Sequence, residues 1–302
     1  MKHKTLKAVA VGAVALLASA CSGQDPLQSG GGNASGDTIV VGSANFPGNV
    51  LIAEVYASAL EEAGFKVERK LNIGAREVLY SQVENCTLSV VPEYNQALLA
   101  YIDPEFTARG TEEVDTALAA ALPENLSVLD SSSAEDNNAI AVSADTAKKH
   151  NLKTIGDLAK VSSTMKFGGP TEWEARADGY PSIKAAYGVD FTEYKLLDYS
   201  GPITISALEK GDVDAALLFS TVPQISSMNF VVLQDPENAL GVNNVTPLVC
   251  DAKMPKEAQE LLNRLSAKLT TADLVDMNVA FSLDFRDADE VAAEWVSKQG
   301  LK

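Results

Sequence analysis

The chain has 302 residues, 46% hydrophobic and 22% charged, with a formal net charge of -17. That composition can bury one large core or two medium ones, and it excludes a disordered chain. The acidic balance excludes a general nucleic-acid binder, and two histidines with three cysteines exclude a multi-histidine metal site or a zinc finger, so no metal and no cofactor is expected.

Lys2, Lys4 and Lys7 precede an apolar run, Ala8 to Leu17, too short to span a bilayer. It ends Leu17-Ala18-Ser19-Ala20-Cys21, which resembles a bacterial lipobox. The resemblance implies a signal peptide over 1–20 and acylation of Cys21; an ordinary Ala-x-Ala export site is the other reading. Residues 21–36, rich in Gly, Ser, Asn and Gln, read as a flexible tether. The expected location is extracytoplasmic, with a lipid anchor as the sole hold on the outer face of the bacterial membrane. An exported chain meets oxidising conditions, which favours pairing of Cys86 with Cys250; two separately buried thiols are the alternative.

Thr38 to Gly42 reads as a strand, Leu51 to Glu62 as a helix, Lys66 to Leu71 as an edge-like strand and Arg76 to Val83 as a helix. Leu88 to Val91 reads as a buried strand stopped by Pro92. The pattern restarts at Ala139 to Val142, followed by a helix to His150 and another capped by Thr154. Strands at Met165–Phe167, Tyr194–Leu197 and Val213–Leu218 alternate with helices at Pro181–Tyr187 and Ile203–Lys210. From Pro255 the chain is helical: Ala258–Leu269, Thr271–Ala280 and Ala288–Lys298. Such alternation implies α/β units around mostly parallel sheets, with a helical tail.

Ligands of such sheets sit outside the carboxyl ends of the strands. The segments there are Ser43-Ala44-Asn45-Phe46, Pro92-Glu93-Tyr94, Gly168-Gly169-Pro170-Thr171 and Phe219-Ser220-Thr221. Gly42, Ser43 and Asn45 before a helix also suggest an anion cradled by N-terminal amides.

These segments, with Glu172 to Gly179 (Glu-Trp-Glu-Ala-Arg-Ala-Asp-Gly) and Gly211 to Ala216, fall in the order found in the substrate-binding lipoproteins of osmoprotectant ABC importers, which the chain resembles from the tether onward. The resemblance implies a two-lobed, type II (Venus-flytrap) periplasmic-binding-protein fold with two hinge crossovers. Lobe one would comprise 37–138 plus 244–302, and lobe two 139–243. It further implies capture of glycine betaine, choline or carnitine by lobe closure, and delivery to a permease with its ATPase. Both cysteines then fall in lobe one. A monomer suits the role, and no bond chemistry is required.

A quaternary ammonium donates no hydrogen bond, so aromatic faces select it, at about 0.5 to 2 kcal/mol per ring. A carboxylate needs a fork of donors, which arginine supplies. The resemblance assigns the carboxylate grip to Arg176 and rings to Tyr94 and Phe219. Family aromatics at the two crossovers appear here as Asn138 and Asn243, the family's lysine after Gly-Ser as Ala44, and Ala97 stands where a small donor is usual. Phe46 or Trp173 could restore a ring, and Asn45 and Ser220 complete the candidates. Two amides in place of two rings point to weak betaine binding or to a more polar, amino-acid-like solute. Arg76 is a further donor, or a helix-face arginine paired with Glu77 or Glu93. Tyr187, Tyr194 and Tyr199 read as packing aromatics of lobe two, and His150 as an exposed helix end. A hydrolase is the enzymatic alternative, but there is no Gly-x-Ser-x-Gly elbow, and a His-based triad would rest on His150 alone. A binder coupled to a sensor or adhesin is the third reading.

Overall fold

The computed structural model describes residues 38–108 and 110–301. The expected signal peptide, the candidate lipidation site Cys21 and the expected tether lie outside the described residues.

Lobe one opens with β1 (Ile39–Gly42), α1 (Pro47–Glu62), β2 (Val67–Lys70), α2 (Arg76–Glu84), β3 (Val90–Tyr94), α3 (Asn95–Ile102), α4 (Thr111–Ala121) and β4 (Leu126–Val128). The chain then crosses to lobe two: β5 (Asn138–Ser143), α5 (Ala144–His150), α6 (Ile155–Leu158), β6 (Lys166–Gly169), α7 (Thr171–Ala175), α8 (Tyr180–Tyr187), β7 (Glu193–Leu196), α9 (Pro202–Lys210), β8 (Ala215–Phe219), α10 (Gln224–Ser227) and β9 (Phe230–Val232). It returns through β10 (Val245–Cys250) and ends in α11 (Lys256–Ser266), α12 (Thr271–Ser282) and α13 (Ala288–Gln299).

Each lobe is built on one five-stranded sheet, ordered β2-β1-β3-β10-β4 in lobe one and β7-β6-β8-β5-β9 in lobe two. The two orders correspond. In each, four strands run in one direction, and the strand arriving from the other lobe (β10 or β5) runs antiparallel to both neighbours. The sheets are therefore mixed, one reversed strand in five, and otherwise run in one direction as the alternation of strands and helices suggested. A strand that enters from a crossover has no helix to reverse it, so it pairs antiparallel.

Local chemistry explains the element ends. Pro47 fixes the first turn of α1, four residues before the first apolar repeat, because its ring pre-sets φ and its absent N–H is not needed there. Thr154 and Thr270 each close a capping box, with Asp157 and Asp273. Strand β3 does not stop at Pro92; it runs on to Tyr94, with Pro92 opposite Pro247 of β10. The bonds from Cys250 N to Ser89 O and from Asn95 N to Asn244 O set the alternation of the ladder. By that parity the two prolines face each other at a pair that exchanges no hydrogen bonds, so their missing N–H groups cost this ladder nothing.

In lobe one, α1 is buried along most of its length between the sheet and α13. Lobe two has separate apolar clusters on the two faces of its sheet, one centred on Phe167 and Trp173, the other on Leu208 and Leu218. Cys86, in the turn after α2, is bridged to Cys250 at the end of β10, with the Cα atoms 5.5 Å apart.

The two crossovers run side by side. Asp136 N donates to Asn243 O at 3.0 Å, and Asn243 N donates to Asn137 Oδ1 at 2.7 Å. Gly241, with φ +68°, begins the return; a Cβ there would stand 1.7 Å from Gln96 Nε2.

Candidate functional site

A cavity lies between the carboxyl ends of the two sheets. Lobe one supplies Phe46, the residue before α1, and Tyr94, the end of β3; lobe two supplies Tyr199, before α9, and Phe219, the end of β8. The rings form a connected cluster. Centroids of Phe46 and Phe219 are 4.9 Å apart, Phe46 and Tyr199 5.7 Å, Phe46 and Tyr94 6.1 Å, and Tyr199 and Phe219 5.4 Å.

Each ring is held by named groups. Asn49 accepts from Ala44 N at 2.7 Å and donates to Pro92 O at 3.0 Å, which joins the Phe46 loop to β3. Asp198 accepts from Ile203 N and Thr204 N and so caps α9, while Ser200 Oγ accepts from Phe219 N at 2.8 Å. Tyr199 and Phe219 are therefore fixed to each other through one serine. The hydroxyl of Tyr94 is buried with no hydrogen-bond partner among the described residues, and burial pushes its pKa well up.

The polar end of the cavity is made by two arginines, one from each lobe. Arg76, the first residue of α2, gives Nε and Nη2 to the Glu93 carboxylate at 2.8 to 3.1 Å, both side chains largely buried. Arg176, after α7, gives Nε and Nη2 to Asp178 at 2.9 Å. Gly179 lets that turn close, for a Cβ there would stand 2.1 Å from Trp173 O. Each arginine is thus pre-oriented by its own acid through one edge of the guanidinium. The Nη1 edge carries no hydrogen bond among the described residues and remains for a ligand.

The sequence-derived candidates divide on this geometry. Asn45, Phe46, Arg76, Tyr94, Asn138, Arg176, Phe219 and Asn243 all line the cavity. Asn243 Oδ1 also accepts from Ala97 N, so this crossover amide is a cap for α3 as well as a lining group. Arg76 is both a lining group and the partner of Glu93, so its two sequence readings coexist. Trp173 and Ser220 are corrections. Trp173 is fully buried and stacks on Phe167 in the lobe-two core, because the short helix α7 turns its apolar side to the sheet. Ser220 is exposed, and its hydroxyl accepts from Asn137 N at the crossover. Near the suggested anion cradle after β1, Ala44 N is taken by Asn49 Oδ1 and Asn45 N by Gly74 O, and Pro47 carries no N–H. Tyr199 was assigned to packing and instead stands in the cavity wall. Its signal was available, since it follows β7 as the other lining residues follow their strands.

Residues 37–298 match the model of the substrate binding domain of ABC-type glycine betaine transport systems. The chain belongs to this family. It is 25% identical over 299 residues to the carnitine transport binding protein OpuCC of Listeria monocytogenes, covering 97% of this chain and 96% of that one. The glycine betaine-binding protein YehZ of Escherichia coli is 24% identical over 276 residues, 87% of this chain and 90% of that one. Among solved structures, a glycine betaine/carnitine/choline ABC transporter protein superposes with a TM-score of 0.69 at 22% identity, covering 87% of this chain and 99% of that one. The two-sheet architecture is accordingly the periplasmic-binding-protein fold of this family. As a family member the protein is the solute-binding component of an ABC transport system, and such components work on the extracytoplasmic side of the membrane.

Proposed function

We propose that the protein captures a zwitterionic quaternary-ammonium osmolyte of the glycine betaine type. The onium would sit against Phe46, Tyr94, Tyr199 and Phe219, and the carboxylate would take the free Nη1 edges of Arg76 and Arg176. One observation carries this reading: two rings and one guanidinium from each lobe converge on a single cavity. Cation-π attraction of about 0.5 to 2 kcal/mol per ring selects the onium, and charge-assisted hydrogen bonds of roughly 1.5 to 3 kcal/mol select the carboxylate. The two rings absent at Asn138 and Asn243 are replaced by Phe46 and Tyr199, which supports a betaine-type ligand over an amino-acid-like one.

Capture would proceed by rotation of the lobes about the paired crossovers, which brings both halves of the site onto one molecule and excludes water. No bond is made or broken. The loaded form would dock as a monomer on a permease driven by its ATPase, with Cys21 as the lipid anchor. A thermal-shift screen of glycine betaine, carnitine, proline betaine, choline and polar amino acids tests the proposal. The betaines should raise the melting temperature and the amino acids should not; a response to amino acids alone would replace the reading.

A further inference from the structure

Asp136 stands on the outgoing crossover, between β4 and β5, and lines the same cavity. It is 3% exposed. Its Oδ1 accepts from Thr221 Oγ1 at 2.8 Å and from Thr221 N at 3.3 Å, and Asn278 of α12 donates in turn to Thr221 Oγ1 at 3.1 Å. Among the described residues no lysine, arginine or histidine is paired with it. The other acid lining the cavity differs in this respect, since Glu93 holds Arg76, as Asp178 holds Arg176.

A buried carboxylate without a cation is unfavourable, and the cost is relieved either by a proton or by a positive charge from outside the protein. The surroundings of Asp136 suit the second. Tyr94 lies beside it on β3, and Phe219, at the end of β8, lines the same cavity. Those are the walls against which an onium would rest. The remaining titratable groups lining the cavity are Arg76, paired with Glu93, Arg176, whose partner Asp178 is not among the lining residues, and Tyr199. Each pair is internally neutral.

We infer that Asp136 is the counter-ion of the ligand's onium group, which makes the site dipolar: rings and a carboxylate at one end, two guanidinium edges at the other. The inference rests on the proposed function and names the residue that the cationic half of the solute meets. Burial raises the Asp136 pKa to about 6, so in the unliganded protein this group takes up a proton just below neutrality. An onium beside it favours the ionised form. Binding therefore expels that proton, and affinity rises as pH rises through about 6.

Glycine betaine keeps one charge state from pH 5 to 8, so any proton released on its binding comes from the protein. Calorimetric titration of the wild-type protein with glycine betaine, in two buffers of different ionisation heat, counts that proton directly. The expected results are about half a proton released per ligand at pH 6, almost none at pH 8, and roughly tenfold weaker binding at pH 5 than at pH 8. Asp136→Asn keeps the shape and removes the charge. It should bind at least about tenfold more weakly at pH 8 and lose the pH dependence. Equal affinity at pH 5 and 8 without proton release overturns the inference, and so does Asp136→Asn binding as tightly as wild type. The proton count needs no variant, so it stands even if the variant fails to fold. Binding without proton release removes this inference alone, whereas no binding of any onium solute at any pH removes the proposed function with it.

Discussion

Phe46 and Phe219 lie 4.9 Å apart between ring centroids, although one precedes the first helix of lobe one and the other ends a strand of lobe two. Rings at that spacing touch, so a trimethylammonium group enters between them only when the lobes part. The same contact that closes the cleft is the one that would hold the solute.

The ring assignment makes a sharp contrast among tyrosines. Tyr199→Ala or Phe46→Ala should weaken glycine betaine binding by about 3- to 30-fold, the value of one cation-π face. Tyr187, whose hydroxyl is bonded to Asp235 away from the cavity, is the control: Tyr187→Ala should lower stability and leave the dissociation constant unchanged. Titration calorimetry on the three variants decides it.

Arg176→Ala should separate ligands by their anionic half. A charge-assisted bond is worth roughly 1.5 to 3 kcal/mol, so betaine affinity should fall by about 10- to 150-fold. Choline, which has no carboxylate, should change by less than about threefold. Equal losses for both would place Arg176 in the framework of lobe two and not on the ligand.

Asp136 sets stability against binding. Its folded pKa, about 6, lies above the ordinary 3.8, so between those values the folded state holds the proton more firmly than the unfolded chain. The contribution of this group to stability therefore falls as pH rises from about 4 to 6, by roughly 3 kcal/mol across the window. Asp136→Asn should melt higher than wild type at pH 8 without ligand, in a differential scanning measurement, while binding more weakly.

The Cys86–Cys250 bridge closes a loop across 164 positions of the sequence. Removing it by Cys86→Ala with Cys250→Ala should cost about 3 to 5 kcal/mol by the chain-entropy account, and lower the melting temperature by roughly 6 to 15 °C. Glycine betaine affinity should hold, since neither cysteine lines the cavity.

Much of this was legible in the sequence, and the failures have physical reasons. Alternating β-branched runs and i, i+3, i+4 repeats marked most strands and helices, because periodicity reports burial directly. The antiparallel strands β5 and β10 were beyond that signal, since direction depends on where a crossover lands and not on local pattern. Pro92 misled because a proline stops a strand only where its N–H is needed, and here the facing residue is Pro247. Arg176, Tyr94 and Phe219 were legible through the family resemblance of the short segments that carry them, which lie at or just past element ends. Trp173 sits in a segment of the same kind but turns inward onto Phe167, and a five-residue helix carries too little periodicity to show which way it faces. Tyr199 escaped although its strand, β7, is legible, because a tyrosine beyond a strand end reads as readily as a packing ring as it does as a cavity wall.

The central claim is that one onium-bearing solute is held by rings and arginines contributed from both lobes. Titration of glycine betaine into the wild-type protein, beside Arg176→Ala and Tyr199→Ala, tests it most directly. The account predicts one site per chain in wild type, with both single variants weakened at least about threefold and the double variant weakened further. Wild-type affinity in both variants, or heat from no onium solute at all, would contradict it.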